Sequence, residues 1–137
     1  MSVLLDTNLL LALVFPRDKN HARARLAMRE ITVNRIIAAP VLPELFYLIS
    51  ERVNYPAAVK FFNILKGGAY QIEPVSDKDM ARMHEIMTEY QDNAFDFVDT
   101  AIMALAERLN IDTIYTLDRR DFGAFRPRHC KYFNLLP

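Results

Sequence analysis

The chain has 137 residues, of which 52% are hydrophobic and 25% charged, a length and composition that fit one folded domain over residues 1–137 and exclude a disordered chain. Its 17 basic and 17 acidic residues balance, so no overall positive field attracts nucleic acid, and such a partner would have to be held by local basic groups and metal ions. The single cysteine, Cys130, excludes an intrachain disulfide framework and favours an intracellular protein.

The amino-terminal stretch Val3–Phe15 is apolar but is interrupted by two polar residues and is preceded by no basic segment. It is also too short to cross a bilayer, so we expect neither a secretory signal nor a membrane anchor, and a cytoplasmic chain. Ser2–Leu5 predicts a short buried strand. Asp6-Thr7-Asn8 then offers capping side chains to a helix over Leu9–Phe15.

Helical and strand-like patterns alternate through the rest of the chain. Helices are predicted over His21–Ile31, Glu44–Val53, Pro56–Lys66, Ser76–Tyr90 and Phe97–Leu109. Strands are predicted over Arg35–Ala39, Tyr70–Glu73, Thr113–Thr116 and Tyr132–Leu135. This alternation predicts an α/β fold with a mainly parallel sheet of four to five strands and helices on both faces. Ligands of such sheets bind at the carboxyl ends of the strands.

Four acids follow or face those strand ends. Asp6 ends the first strand, Glu44 opens the helix after the second, Asp99 lies in the first turn of an otherwise apolar helix, and Asp118 comes two residues after Thr113–Thr116. A parallel sheet brings its carboxyl ends to one edge, so we expect the four carboxylates to converge on one cleft. The positions of Asp6 and Asp99 favour a functional role, because a charge without a partner beside apolar segments destabilises the folded chain.

The other acids each allow an ordinary structural role. Glu44 could stabilise the dipole of its helix, and Asp118 could cap the turn that follows it. Asp96, three residues before Asp99 on the same helix face, is expected to be the N-cap and a candidate outer-sphere acid. Arg119, next to Asp118, and Arg120 could bind substrate phosphates or simply be solvated.

Crowded carboxylates repel one another unless they take up protons or a cation. Mg²⁺ prefers oxygen ligands and is usually shared between carboxylates and a substrate phosphate. No histidine or thiolate set accompanies the acids, which argues against zinc. The residues therefore predict a site for Mg²⁺ or Mn²⁺ that activates a water molecule towards phosphorus.

At these positions the sequence resembles the PIN-domain family, especially the VapC-type toxins of bacterial and archaeal toxin–antitoxin systems. The matching segments are Leu4-Leu5-Asp6-Thr7-Asn8, Pro43-Glu44, Phe97-Val98-Asp99-Thr100-Ala101-Ile102-Met103-Ala104-Leu105-Ala106 and Thr116-Leu117-Asp118-Arg119-Arg120-Asp121-Phe122. The resemblance extends over nearly the whole chain, and the first and the last two segments are specific in combination.

The resemblance implies a PIN-like α/β/α sandwich with metal-dependent endoribonuclease activity. It carries Asp6, Glu44, Asp99 and Asp118 over as the acidic metal site, with Asn8 and Thr116 as residues that hold the acidic loops by hydrogen bonds. It further implies an RNA substrate, a homodimer and a cognate antitoxin whose tail enters the active cleft.

Three other functions stay open at this stage. The chain could be a housekeeping PIN nuclease, or a PIN-like module that binds RNA or protein without cutting, although a binding module gains nothing from clustered negative charge where phosphates approach. An acid after the first strand could also be the nucleophile of an aspartyl-phosphate phosphohydrolase. That chemistry commonly uses a second acid two residues on, where this chain has Asn8.

Overall fold

Five strands and seven helices alternate along the chain in a computed structural model that describes residues 1–137. The strands are β1 (Ser2–Leu5), β2 (Asn34–Ala38), β3 (Gln71–Glu73), β4 (Thr113–Tyr115) and β5 (Asn134–Leu136). The helices are α1 (Thr7–Val14), α2 (His21–Glu30), α3 (Val41–Arg52), α4 (Tyr55–Lys66), α5 (Asp77–Glu89), α6 (Phe97–Leu109) and α7 (Arg120–Ala124). None of the helices combines the length and the hydropathy that a membrane span needs.

The strands form one sheet in the order β3-β2-β1-β4-β5, and every neighbouring pair is parallel. The predicted parallel sheet is therefore confirmed. The chain moves outward in one direction from β1 to β3 and in the other from β4 to β5, so the order reverses between β1 and β4. In open parallel sheets the crevice for ligands lies at this reversal, beyond the carboxyl ends of the two strands.

The helices form a layer on each face of the sheet. Helix α1 packs against α2 and α3, and α3 packs against α4, whereas α5 packs against α6 and α6 against α7. Right-handed crossovers place the first group on one face and the second on the other, because the connection from β3 to β4 runs in the opposite direction across the sheet. The result is the expected α/β/α sandwich.

The core lies between the sheet and these layers. The fully buried side chains include Leu4, Leu5, Leu9, Leu10, Ile37, Leu45, Ile49, Ile86, Ile102, Met103, Phe122 and Phe125. Helix α6 buries eight consecutive or near-consecutive residues from Val98 to Ala106, in keeping with its almost uninterrupted apolar sequence. Helix α5 begins with a capping box, in which Ser76 and Asp79 bond to each other's backbone amides.

Three boundaries differ from the sequence predictions by more than one residue. Helix α1 begins at Thr7 rather than Leu9, because Asp6 itself is the N-cap. Helix α3 begins at Val41, so Pro43 lies inside its first turn, where a missing backbone donor costs nothing. The last strand is Asn134–Leu136 rather than Tyr132–Leu135, in a register that pairs Leu135 with Ile114 of β4.

The short helix α7 was not predicted. Its five residues are too few to show a helical period, and the two arginines before its acid indicate a solvated turn. The packing of two aromatic residues stabilises it, since Phe122 and Phe125 are 2% and 0% exposed. This helix decides where the acids after β4 lie.

Candidate active site

Asp6 is a buried carboxylate at the carboxyl end of β1, only 5% exposed. Its Oδ1 accepts a hydrogen bond of 2.8 Å from the backbone amide of Thr7, and its Oδ2 accepts one of 2.8 Å from the hydroxyl of Thr116. Burial raises the pKa of Asp6 to about 6, against the lowering effect of these two hydrogen bonds, and the charges of Glu44 and Asp96 add to the rise. Asp6 is thus held in place but is electrostatically unsatisfied.

Thr116 and Asn8 join the ends of β1 and β4 across the reversal of the sheet. The single hydroxyl proton of Thr116 goes to Asp6 Oδ2, its shortest contact, and its oxygen accepts from the backbone amide of Asp118 at 3.1 Å. The side-chain oxygen of Asn8 accepts from the backbone amide of Leu117 at 3.0 Å. The bonds of Thr116 to Asp6 and of Asn8 to Leu117 join residues more than 100 positions apart in the sequence. They are hydrogen bonds of the kind expected of Asn8 and Thr116 as residues that hold the acidic loops.

Asp96 and Asp99 open α6 on the neighbouring side of the site. Asp96 is the N-cap, and its Oδ1 accepts from the Asp99 amide at 2.8 Å, as the spacing predicts. Asp99 is half-buried. Its pKa is raised to about 8, first by burial, then by the charges of Asp6 and Asp96, and further by a hydrogen bond and the charge of Asp121. With this pKa, Asp99 retains a proton near neutral pH when no cation is bound.

Asp121 is the site acid that the sequence analysis did not single out. It is half-buried in the first turn of α7, and it is the acid after β4 that raises the pKa of Asp99. The available signal was its place directly before the buried Phe122, which shows that the chain turns inward there. The two arginines before Asp121 predict a solvated turn, and this prediction concealed the inward direction of the chain.

The remaining predicted residues lie around this group. Glu44 is half-buried in the first turn of α3, where its charge raises the pKa of Asp6. The Asp118 carboxylate is exposed and accepts from the backbone amide of Arg120 at 3.1 Å, while its backbone bonds to Thr116. The structure therefore brings Asp6, Glu44 and Asp99 into one electrostatic group together with Asp121, and places the Asp118 carboxylate at the surface.

Arg119 and Arg120 differ in the contacts that their guanidinium groups make within the chain. Arg119 donates to a backbone oxygen of Pro137, which also accepts from Arg23 at 2.9 Å. The side chain of Arg120 is 86% exposed and lies 3.7 Å from a carboxylate oxygen of Asp121. Arg120 is therefore the arginine with a guanidinium available to an incoming phosphate beside the acids.

No three histidine, cysteine, aspartate or glutamate side chains stand close enough together to hold one ion as they are placed. The acids nevertheless suit a hard divalent cation, because the donor set is entirely oxygen and the raised pKa values of Asp6 and Asp99 mark negative charge that lacks a counterion. Protonation near neutral pH is the alternative to a cation, and the raised pKa of Asp99 favours it when no cation is bound.

Comparisons with known proteins identify the family of this chain. The family model described as "PIN domain" matches residues 3–126. Ribonuclease VapC26 of Mycobacterium tuberculosis is 31% identical over 135 residues, which cover 98% of this chain and 100% of that protein.

Solved structures share the fold. The crystal structure of M. tuberculosis VapC20, a Sarcin-Ricin loop cleaving toxin, superposes with a TM-score of 0.84 at 22% identity and covers 94% of this chain and 98% of its own. VapBC2 from Rickettsia felis, bound to a DNA fragment from its promoter, gives a TM-score of 0.73 at 19% identity with both chains fully covered. The chain belongs to the PIN-domain family, among its VapC-type members.

Proposed function

We propose that this chain is an endoribonuclease that hydrolyses RNA phosphodiester bonds with the help of Mg²⁺ or Mn²⁺, and that it is the toxin of a toxin–antitoxin pair. The observation that carries the proposal is the group formed by Asp6 and Asp99, two acids whose pKa values are raised to about 6 and about 8 at the crevice between β1 and β4. A protein without a cation to bind gains nothing from holding this repulsion in its fold.

Asp6, Asp99 and Asp121 are the residues that would hold the cation, with Glu44 close enough for its charge to raise the pKa of Asp6. When bound, a divalent cation supplies Lewis acidity that makes water a better nucleophile and neutralises charge on the phosphate. Asp118 as a direct ligand stays a prediction of the sequence, and its exposed carboxylate suits an outer position better.

The chain's own groups have distinct tasks in this proposal. Thr116 fixes the Asp6 carboxylate through Oδ2, and the Thr7 amide holds Oδ1. Asp99, which retains a proton near neutral pH, would have to release it for its carboxylate to hold a cation. Arg120 binds a phosphate of the RNA next to these acids, and Asp96 orients the start of α6 through the Asp99 amide.

The toxin assignment is supported by the relatives. The 31% identical protein is a VapC ribonuclease, and the solved neighbours include VapBC2 and a toxin-antitoxin complex from Klebsiella pneumoniae. A cognate antitoxin is therefore the expected protein partner, and the cytoplasm, where RNA is available, is the expected location. A small antitoxin encoded beside this chain and able to suppress its activity would distinguish a toxin from a housekeeping nuclease.

The decisive experiment is incubation of the purified chain with single-stranded RNA in Mg²⁺ or Mn²⁺ and then in EDTA. We expect cation-dependent cleavage that both Asp6→Asn and Asp99→Asn abolish while circular dichroism stays unchanged. Asp112→Asn is the matched control, because Asp112 is exposed and precedes β4, at the opposite edge of the sheet.

The alternatives give different results in the same assay. Cleavage that persists in both variants would exclude this site as the nuclease centre. Turnover of small phosphate esters with intact RNA would indicate the phosphohydrolase, and retention of RNA without cleavage in any cation would indicate a binding module.

A further inference from the structure

Two arginines that lie far apart in the sequence meet at one oxygen atom. Arg23 is in the first turn of α2, and Arg119 lies between β4 and α7. A nitrogen of each guanidinium group donates to the same backbone oxygen of Pro137, at 2.9 Å from Arg23. Because two donors of one oxygen atom must lie close together, the two guanidinium groups are neighbours, and we call these two residues the arginine pair.

The positive charge of the arginine pair is not fully compensated. None of the chain's ion pairs includes Arg23 or Arg119, whereas other arginines of the chain, such as Arg82 and Arg108, contact carboxylates. The two guanidinium groups carry two positive charges, and the one oxygen atom between them carries at most one negative charge. The arginine pair therefore attracts an anion.

Most hydrogen-bond donors of the arginine pair are also unused. A guanidinium group has five N–H donors in a planar fork that fits two oxygens of a phosphate. Arg23 and Arg119 each direct one nitrogen at Pro137, and neither side chain makes another hydrogen bond within the chain. Both residues are exposed. A phosphate can therefore bind the remaining donors without breaking any other contact of the fold.

The arginine pair lies at the edge of the sheet where the acids lie. Pro137 directly follows β5, which is parallel to β4, so its oxygen is beyond the carboxyl ends of these strands. The preceding residue, Leu136, accepts from the backbone amide of Thr116, whose hydroxyl bonds to Asp6. A short series of hydrogen-bonded residues therefore joins the arginine pair to Asp6, on the β5 side of the crevice.

The direction of α2 brings Arg23 to this edge. Near the other end of the helix, the carbonyl of Met28 accepts from Arg35 at 2.9 Å, and Arg35 lies near the amino end of β2. The helix therefore runs from the carboxyl edge of the sheet to the amino edge, and its first turn lies at the edge where the acids lie.

The consecutive residues Arg119 and Arg120 extend to different places. Arg120 lies 3.7 Å from a carboxylate oxygen of Asp121, whereas Arg119 reaches the end of β5. On the basis of the proposed nuclease function, we propose that the arginine pair binds a second phosphate of the RNA, beside the one that Arg120 meets, which makes Arg23 a substrate-binding residue of α2. RNA is favoured over an acidic protein segment because the arginine pair and Arg120 lie along one edge of the sheet, as successive phosphates of a strand require. A chain without net charge also depends on such local basic groups to hold nucleic acid.

The salt dependence of RNA binding tests this assignment, because it reports how many phosphates the protein neutralises. For single strands the logarithm of the binding constant falls by about 0.7 per decade of salt for each phosphate contacted. Fluorescence anisotropy of the full chain with a labelled single-stranded RNA, in EDTA so that the RNA stays intact, measures this slope.

The double variant with Arg23→Gln and Arg119→Gln should make the slope shallower by about 0.7, as one shared phosphate requires, and should weaken binding about 10-fold at low salt. The double variant with Arg23→Lys and Arg119→Lys keeps both charges and should retain the slope of the parent chain. A role that is limited to holding Pro137 would leave the slope unchanged in both double variants.

Arg29→Gln is the matched control, because it removes the same charge from an exposed residue of the same helix. Arg29 lies in the last turn of α2, roughly 9 Å along the helix from Arg23. It should retain the slope of the parent chain, and circular dichroism should show that all variants are folded. A parent chain that binds no RNA at low salt, an unchanged slope in the glutamine double variant, or an equal change in Arg29→Gln or in the lysine double variant would each overturn the proposal.

Binding is measured without cleavage, so this result is separate from that of the nuclease assay. A parent chain that cuts RNA, with an unchanged slope in the glutamine double variant, would refute the role of the arginine pair and leave the nuclease function standing. A parent chain that binds RNA through the arginine pair but cuts none in Mg²⁺ or Mn²⁺ would support the pair and refute the nuclease.

Discussion

Replacing Asp6 by asparagine removes the most deeply buried charge of the site, and the structure gives the size of the effect. Burial raises the pKa of this carboxyl from 3.8 to about 6. Each pKa unit corresponds to about 1.4 kcal/mol, so ionised Asp6 costs the metal-free fold about 3 kcal/mol. The group is 5% exposed, which leaves little solvent screening to reduce this value.

The sign follows from proton binding. Between pH 3.8 and about 6 the folded state binds more protons at Asp6 than the unfolded state does. The contribution of Asp6 to stability is therefore present below pH 3.8 and is lost as the pH rises through the folded pKa. Asparagine cannot ionise, so the gap in unfolding free energy between Asp6→Asn and the parent chain should widen across this range and stay constant above about pH 7.

Changes in hydrogen bonding reduce the stabilisation expected from Asp6→Asn but do not cancel it. An asparagine oxygen can still accept from the Thr7 amide, and its NH₂ group can donate to Thr116, whose hydroxyl proton can turn to the Asp118 carbonyl 3.0 Å away. The exchange of a charged for a neutral acceptor costs about 1 kcal/mol. The net stabilisation expected at pH 8 in EDTA is about 2 kcal/mol, with RNA cleavage lost.

Urea unfolding followed by circular dichroism, at several pH values from 4 to 8 and in EDTA, measures this difference. Asp112→Asn should show no gap that widens with pH, because it removes an exposed charge. An Asp6→Asn protein that is less stable than the parent chain at pH 8, or a gap that does not change with pH, would refute the account of Asp6 as an uncompensated buried charge.

Further substitutions separate the roles of the other residues. Asp121→Asn should lower the rate of RNA cleavage about 100-fold, and Asp118→Asn should lower it at most about 10-fold. Initial rates on one RNA in Mg²⁺ measure both effects. The reverse order would make Asp118 the ligand. Thr116→Val should move the acid limb of the pH–rate profile upward, because the hydrogen bond that lowers the pKa of Asp6 is lost, whereas Thr116→Ser should retain the parent profile. Asp79→Ala removes the capping box of α5 and the partner of an arginine in α6, so urea unfolding should show a loss of about 3 kcal/mol with unchanged activity per folded molecule.

The sequence predicts the strands, helices and sheet of this protein well where the local sequence pattern and the packing of the whole fold agree. The Ser2–Leu5 strand is apolar after its first residue, and the acid that follows it also caps a helix, so a short segment determines the strand, the turn and the position of the carboxylate. The apolar run of α6 likewise leaves only a buried position for the helix, with Asp96 as its N-cap. The PIN-domain family and the parallel sheet, predicted from these segments, are confirmed.

The segment after β4 shows where this reasoning reaches its limit. Asp118 and Asp121 are both acids close behind a strand, and spacing alone gives no reason to prefer the second. The choice depends on the direction of the chain in α7, which is set by the packing of Phe122 and Phe125 against distant parts of the core. A five-residue helix held by tertiary contacts leaves no periodic pattern in the sequence.

The same electrostatics link cation binding to folding. If Asp6, Asp99 and Asp121 hold a divalent cation, the cation binds the folded chain and not the unfolded one, and it relieves the repulsion that raises their pKa values. Mg²⁺ at about 100 times its dissociation constant would then stabilise the parent chain by about 2.7 kcal/mol, similar to the cost of the ionised Asp6. A urea midpoint that rises with MgCl₂ in the parent chain, but not in Asp6→Asn or with NaCl of equal ionic strength, is the expected result. Equal increases in both proteins would mean that the cation binds elsewhere, and the repulsion between these acids would then lack its functional reason.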